Sequence, residues 1–120
     1  MKNALGMLLT LLALFTACAP QNKNQLAVTL EQPTQTVGRR ELILNVTQDG
    51  KPLEVAELNV EGNMTHAGMG TVTDTAKPLG NGRYAVRAFD FNMSGDWVLT
   101  VTAVKDAKTL TGEIGLGVGQ

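Results

Sequence analysis

Trp97-Val98-Leu99-Thr100-Val101-Thr102-Ala103-Val104 is the stretch that decides the fold. Trp97, Leu99, Val101 and Ala103 share one parity, and Thr100 and Thr102 hold the other. Such period-two alternation makes a strand with one face buried and one in water. The rhythm recurs outward from it. In residues 40–47, Leu42, Leu44 and Val46 face one way and Glu41, Asn45 and Thr47 the other, with Ile43 interrupting the polar face. Residues 55–61 place Ala56, Leu58 and Val60 inward. In residues 83–91, Tyr84, Val86 and Ala88 share a face while Phe89 and Phe91 take the opposite parity, which predicts a bulge between the two sets. Weaker strands are expected over residues 26–32, ending at Pro33, over 71–75 and over 110–116, after which Gly117-Val118-Gly119 frays. Asp49-Gly50 is a hairpin signal. Pro78 with Gly80-Asn81-Gly82 is a second turn, and Asp106-Ala107-Lys108 a connector. No stretch carries a helical period. About seven short strands between turns imply an all-β chain, an Ig-like antiparallel β-sandwich. A single cysteine rules out a disulfide between its sheets, and the single tryptophan, Trp97, is the expected centre of the core.

The N-terminus follows another logic. Met1-Lys2-Asn3 is a short positive start, residues 5–15 are rich in leucine, and Thr16-Ala17-Cys18 is a small-residue end. That is the layout of a secretory signal peptide, with an apolar run too short to span a bilayer. Leu14-Phe15-Thr16-Ala17-Cys18 resembles a bacterial lipobox, with Phe15 where leucine is usual. The resemblance implies that Cys18 is lipidated and becomes the new N-terminus. The alternative is an ordinary signal cleaved after Ala17, leaving a lone exposed thiol in an oxidising compartment, where it is a liability. The expected organisation is a signal peptide over 1–17, lipidated cysteine and polar tether over 18–25, and one β-domain over 26–120. The expected location is the cell envelope, anchored on the outer side of the cytoplasmic membrane or in the outer membrane facing the periplasm. With 10 basic and 11 acidic residues the formal net charge is −1. No basic run points to nucleic acid.

One stretch carries chemistry rather than rhythm: Asn63-Met64-Thr65-His66-Ala67-Gly68-Met69-Gly70. It holds the only histidine and two of the five methionines. A third methionine, Met93, lies in Asn92-Met93-Ser94-Gly95. Thiolates oxidise outside the cell, whereas thioethers form no disulfide, so methionine is the suitable soft ligand there. Three methionines and an imidazole favour Cu(I). If residues 64–66 are extended, Met64 and His66 share a face. Gly68 then lets the backbone turn so that Met69 comes back toward them. Blue copper needs a cysteine and two histidines, and zinc rarely takes a thioether, so neither fits. The bland reading is that Met64 and Met69 fill gaps in the core.

Residues 55–104 resemble the YtkA-like domain, a family related to the periplasmic part of the FixH proteins. The matching motifs are Met64-x-His66-x-Gly68-Met69-Gly70, Gly80-Asn81-Gly82-Arg83-Tyr84, and Phe91-Asn92-Met93-Ser94-Gly95-Asp96-Trp97. The resemblance implies an Ig-like β-sandwich and copper handling outside the cytoplasmic membrane. The cargo would pass to a copper-accepting oxidase subunit, such as that of a haem-copper oxidase, or to another copper chaperone. Carried over residue by residue, Met64, His66, Met69 and Met93 are the expected copper ligands. Such a carrier is not an enzyme. The competing reading is a metal-free Ig-like binding or assembly module of the cell envelope. Gly115-x-Gly117-x-Gly119 has no following helix to make a phosphate loop, and Ser94 with His66 lacks the context of a hydrolase.

Overall fold

The computed structural model describes residues 25–65 and 70–120. The expected signal peptide, Cys18 and the expected tether up to residue 24 lie outside the described residues, as do His66 and Met69. The described chain is all β, and it contains no helix long and apolar enough to cross a membrane. Its strands are β1 (Ala27–Leu30), β2 (Thr34–Thr36), β3 (Gly38–Gln48), β4 (Lys51–Pro52), β5 (Leu58–Met64), β6 (Val72–Gly80), β7 (Arg83–Phe91), β8 (Gly95–Lys105) and β9 (Lys108–Gly119).

The expectation of about seven strands in two layers is corrected. Nine strands form one hydrogen-bonded sheet: eight follow one path, in the order β1-β3-β7-β6-β5-β8-β9-β2, and the two-residue β4 pairs with β3 off it. The reason lies in β6. Val72 to Ala76 pair with β5, and from Lys77 onward the strand pairs with β7, so hydrogen bonding is continuous where a sandwich has a gap. The sheet therefore curls into a half-barrel around its apolar face. Leu26 donates its N–H to the Thr111 carbonyl at 2.7 Å, and β2 runs parallel to β9, so the first strands reach across to the other side of the curl. Gly112 permits that crossing. A Cβ there would stand 2.5 Å from the Leu26 carbonyl oxygen.

β8 matches its pattern: Trp97, Leu99, Val101 and Ala103 are buried. Leu42, Leu44 and Val46 of β3 are fully buried. The bulge predicted in residues 83–91 is present. Arg40 pairs with Phe89 but Leu42 with Val86, which leaves one extra residue on β7. That residue switches parity, so Tyr84 and Val86 face inward and so do Phe89 and Phe91, while Ala88 is half-exposed. The aromatic rings meet at the bottom of the curl. Trp97 stands edge-on to Phe91 at 5.3 Å and to Phe89 at 6.4 Å between centroids.

Other expectations fail for local reasons. Ala56 is exposed, and Leu53 is buried in its neighbourhood instead. Tyr84 causes the exchange. Its hydroxyl donates to the Leu53 carbonyl at 2.6 Å and accepts the Val55 N–H at 3.0 Å, which ties this connection down. Pro78 lies within β6 rather than in a turn. Only β7 pairs with it there, so a residue without an N–H is tolerated. Residues 117–119 do not fray: Thr34 to Thr36 pair with them and Val118 is buried.

The three tight hairpins share one end. β3, β6 and β8 run the same way, because each is antiparallel to the strand between them. Each ends in a two-residue turn with both φ angles positive: Asp49-Gly50, Asn81-Gly82 and Asp106-Ala107. This is the type I′ pattern that matches strand twist. β5, β7 and β9 end at the opposite pole. The chain enters at the turn pole, where Ala27 pairs with Thr47.

Burial pushes the Tyr84 phenol above its ordinary 10.0, with the Glu54 carboxylate adding to it. The folded state then holds this proton more tightly than the unfolded chain does. Its contribution to stability is complete below about pH 10 and is lost as pH rises through the folded value. Tyr84→Phe should lower stability by about 1–3 kcal/mol in urea at neutral pH, because it leaves the Leu53 and Val55 backbone groups unpaired. Its alkaline stability limb should also be flatter than that of the wild type. Ala107 sits at φ 65. A left-handed L-residue costs about 1–2 kcal/mol, only part of which glycine returns through unfolded-state entropy. Ala107→Gly should therefore raise stability by about 0.5 kcal/mol in the same assay.

Candidate metal centre

The pole opposite the three turns is built from strand ends, and two of them carry methionines. β5 runs Asn63 and Met64 out of the core, with Met64 in register beside Trp97. One residue further, the Thr65 N–H donates to the Asp96 carbonyl at 3.1 Å. β7 ends at Phe91, and the chain then turns through Asn92, Met93 and Ser94 into β8. Ser94 Oγ accepts a hydrogen bond from Gln120 Nε2 at 3.1 Å, which brings the C-terminal residue to the same pole.

Trp97 holds the turn from below. Its ring is buried, so its one N–H needs a partner inside the fold. That partner is the Met93 carbonyl oxygen, at 3.0 Å. Gly95, between them, has φ 137, a conformation that favours glycine. An added Cβ would stand 2.6 Å from Met64 Cε. The methyl end of Met64 therefore lies on Gly95, at the foot of the Met93 turn. Met64 is half-buried against the core, while Met93 is 46% exposed. Met64 starts beside Trp97 on β5, and its methyl end reaches Gly95, two residues from Met93.

His66 and Met69, the other expected ligands, lie in the connection between Thr65 and Gly70, outside the described residues. The bases of that connection are joined. Thr71 Oγ1 donates to Asn63 Oδ1 at 2.6 Å, and Asn63 Nδ2 donates to Glu61 Oε2 at 3.0 Å. Of the four expected ligands, Met64 and Met93 are thus brought to one pole. Asn63, Thr71 and the Trp97 N–H escaped the sequence reading. The Trp97 contact had a signal, since an indole two residues past a glycine turn is within reach of that turn's carbonyls.

The chemistry open to this pole follows from its donors. Thioether sulfur is neutral and polarizable, and it suits a soft monovalent ion. Calcium and magnesium require charged or strongly polar oxygens instead. Among the described residues no three His, Cys, Asp or Glu side chains come together.

No curated protein and no solved structure matches the chain. A family model described as YtkA-like does, over residues 20–102. That span begins ahead of β1, takes in the ends of β5 and β7 with both methionines, and stops inside β8. It covers well over half of the 120 residues, and by it the chain belongs to the YtkA-like family.

Proposed function

We propose that this protein is an extracytoplasmic copper carrier, anchored through a lipid on Cys18, that binds Cu(I) and hands it to a cuproenzyme such as a haem-copper oxidase or to another copper chaperone. Membership of the YtkA-like family supports an extracytoplasmic domain. One observation carries the copper reading: the Met64 methyl rests on Gly95, directly below the turn that bears Met93. Two of the three methionines outside the N-terminal segment are thereby brought to one pole although 29 positions separate them in the chain.

Met64, Met93, His66 and Met69 form the ligand set in this reading. Cu(I) is cargo, not a cofactor, and no bond in a substrate is made or broken. Each thioether is a weak neutral ligand, so transfer proceeds by exchanging ligands one at a time with an acceptor. Met93, the exposed one, exchanges first. The polarity of the fold suits delivery. The tether joins at the turn pole, and the methionines lie at the other end of β8, an 11-residue strand. At about 3.3 Å per residue that separation is about 35 Å. An anchored molecule can thus offer its methionine pole to a partner while its turn pole stays nearer the lipid.

The test is an anaerobic Cu(I) titration of the chain from Gln21 onward against a chromophoric chelator. One equivalent should bind, and His66→Ala and Met93→Leu should each weaken binding by at least about tenfold. Binding no tighter than that of a chain with residues 63–70 scrambled would defeat the copper reading. It would leave the metal-free binding or assembly module in its place.

A further inference from the structure

We infer that Gly95 and Trp97 are positioning residues for the Met64–Met93 thioether pair, Gly95 acting through Met64 and Trp97 through Met93. The inference rests on the copper reading for its purpose but on separate geometry for its content.

Gly95 acts by what it lacks. The place its Cβ would occupy is within 2.6 Å of the Met64 methyl carbon, so a side chain at 95 and Met64 in its present pose exclude each other. No other heavy atom outside the neighbouring residues lies within 4 Å of that place. The close approach therefore serves Met64 specifically, and the terminal methyl is the part of the side chain next to sulfur. A methionine has three rotatable bonds and fills whatever gap it finds. Seating its end on a bare Cα removes much of that freedom before any ion arrives.

Trp97 acts by what it donates. The indole N–H holds the Met93 carbonyl at 3.0 Å, and the ring is locked edge-on against Phe91 and Phe89. The position of the Met93 backbone is thereby referred to buried aromatic rings of the core. A ligand on an otherwise exposed turn gains a fixed origin. Neither residue offers a ligand atom to a soft ion, so both influence the site only through the methionines.

A double-mutant comparison separates positioning from general destabilisation. In the full chain purified in detergent, Gly95→Ala and Trp97→Phe should each raise the Cu(I) dissociation constant about tenfold, the usual scale for groups that orient ligands. Gly95→Ala should add less than about twofold when Met64 is already leucine, and Trp97→Phe less than about twofold when Met93 is. Equal losses in both backgrounds would show that the substitutions merely loosen the fold, and would overturn the inference. A metal-free measurement keeps it independent of copper. With ¹³C-methyl-labelled methionine, Gly95→Ala should move the Met64 methyl resonance, and by more than that of Met93, whose turn feels only the backbone strain of an alanine at φ 137. An unmoved Met64 resonance would also overturn it. A wild-type chain that binds no Cu(I) would remove the copper reading alone, and the methyl resonance would still decide whether Gly95 seats Met64.

Discussion

A buried indole must give its N–H to something inside the protein, and in this chain Trp97 gives it to Met93. The two parts of that statement differ in size. Burying an aromatic side chain removes about 150–250 Å² from water, worth about 4–6 kcal/mol. The hydrogen bond adds about 1 kcal/mol net. Packing thus decides that Trp97 is inside, beneath Phe89 and Phe91, while the weaker interaction decides where the next turn lies. Without the N–H the core keeps most of its energy, but the turn loses its reference to the core. Trp97 thus ties the Met93 turn to the core.

The sheet's polarity does the rest. Because neighbours in the run from β3 to β9 are antiparallel, alternate strands end at the same pole. One pole receives three two-residue hairpins with left-handed residues, which are compact and leave little room for variation. The other receives the longer connections, including the one that carries His66 and Met69. Connections that can vary in length and composition suit ligand placement, and a rigid strand scaffold sets their bases. The Asn63–Thr71 hydrogen bond is one such base, and the Thr65 to Asp96 backbone bond is another. The surface ion pair between Arg83 and Glu31 is of a different kind. The guanidinium and the Asn45 amide hold the Glu31 carboxyl below its usual range, but both partners are solvated and nothing at the methionine pole depends on them.

Much of the fold was legible in the residues. Period-two alternation reports burial directly, and so β3, β7 and β8 have the inward faces their sequences declare. The parity switch between Val86 and Phe89 declared the bulge, because a strand cannot bury both sets without an extra residue. Asp49-Gly50 and Asn81-Gly82 declared their turns through their tolerance of positive φ. Failures came where a distant partner overrode the local pattern. Tyr84 buries Leu53 in the neighbourhood where Ala56 was expected inside, β2 captures the end of β9, and β7 accepts Pro78.

The candidate site divides along the same line. By itself the sequence determined which donor types a site could draw on, since a lone histidine and methionines in glycine-rich turns are a matter of inventory. It also determined the main strands that flank them, through a periodicity each residue shares with its near neighbours. Only the tertiary structure decided that Met64 and Met93 lie at one pole, that Gly95 receives the Met64 methyl, and that the sheet is a continuous curl rather than two layers. The physical reason is that strand pairing is made by backbone groups nearly identical at every residue. Neighbours are therefore chosen by the packing of whole faces, and that choice is a property of the assembled sheet, not of any stretch within it.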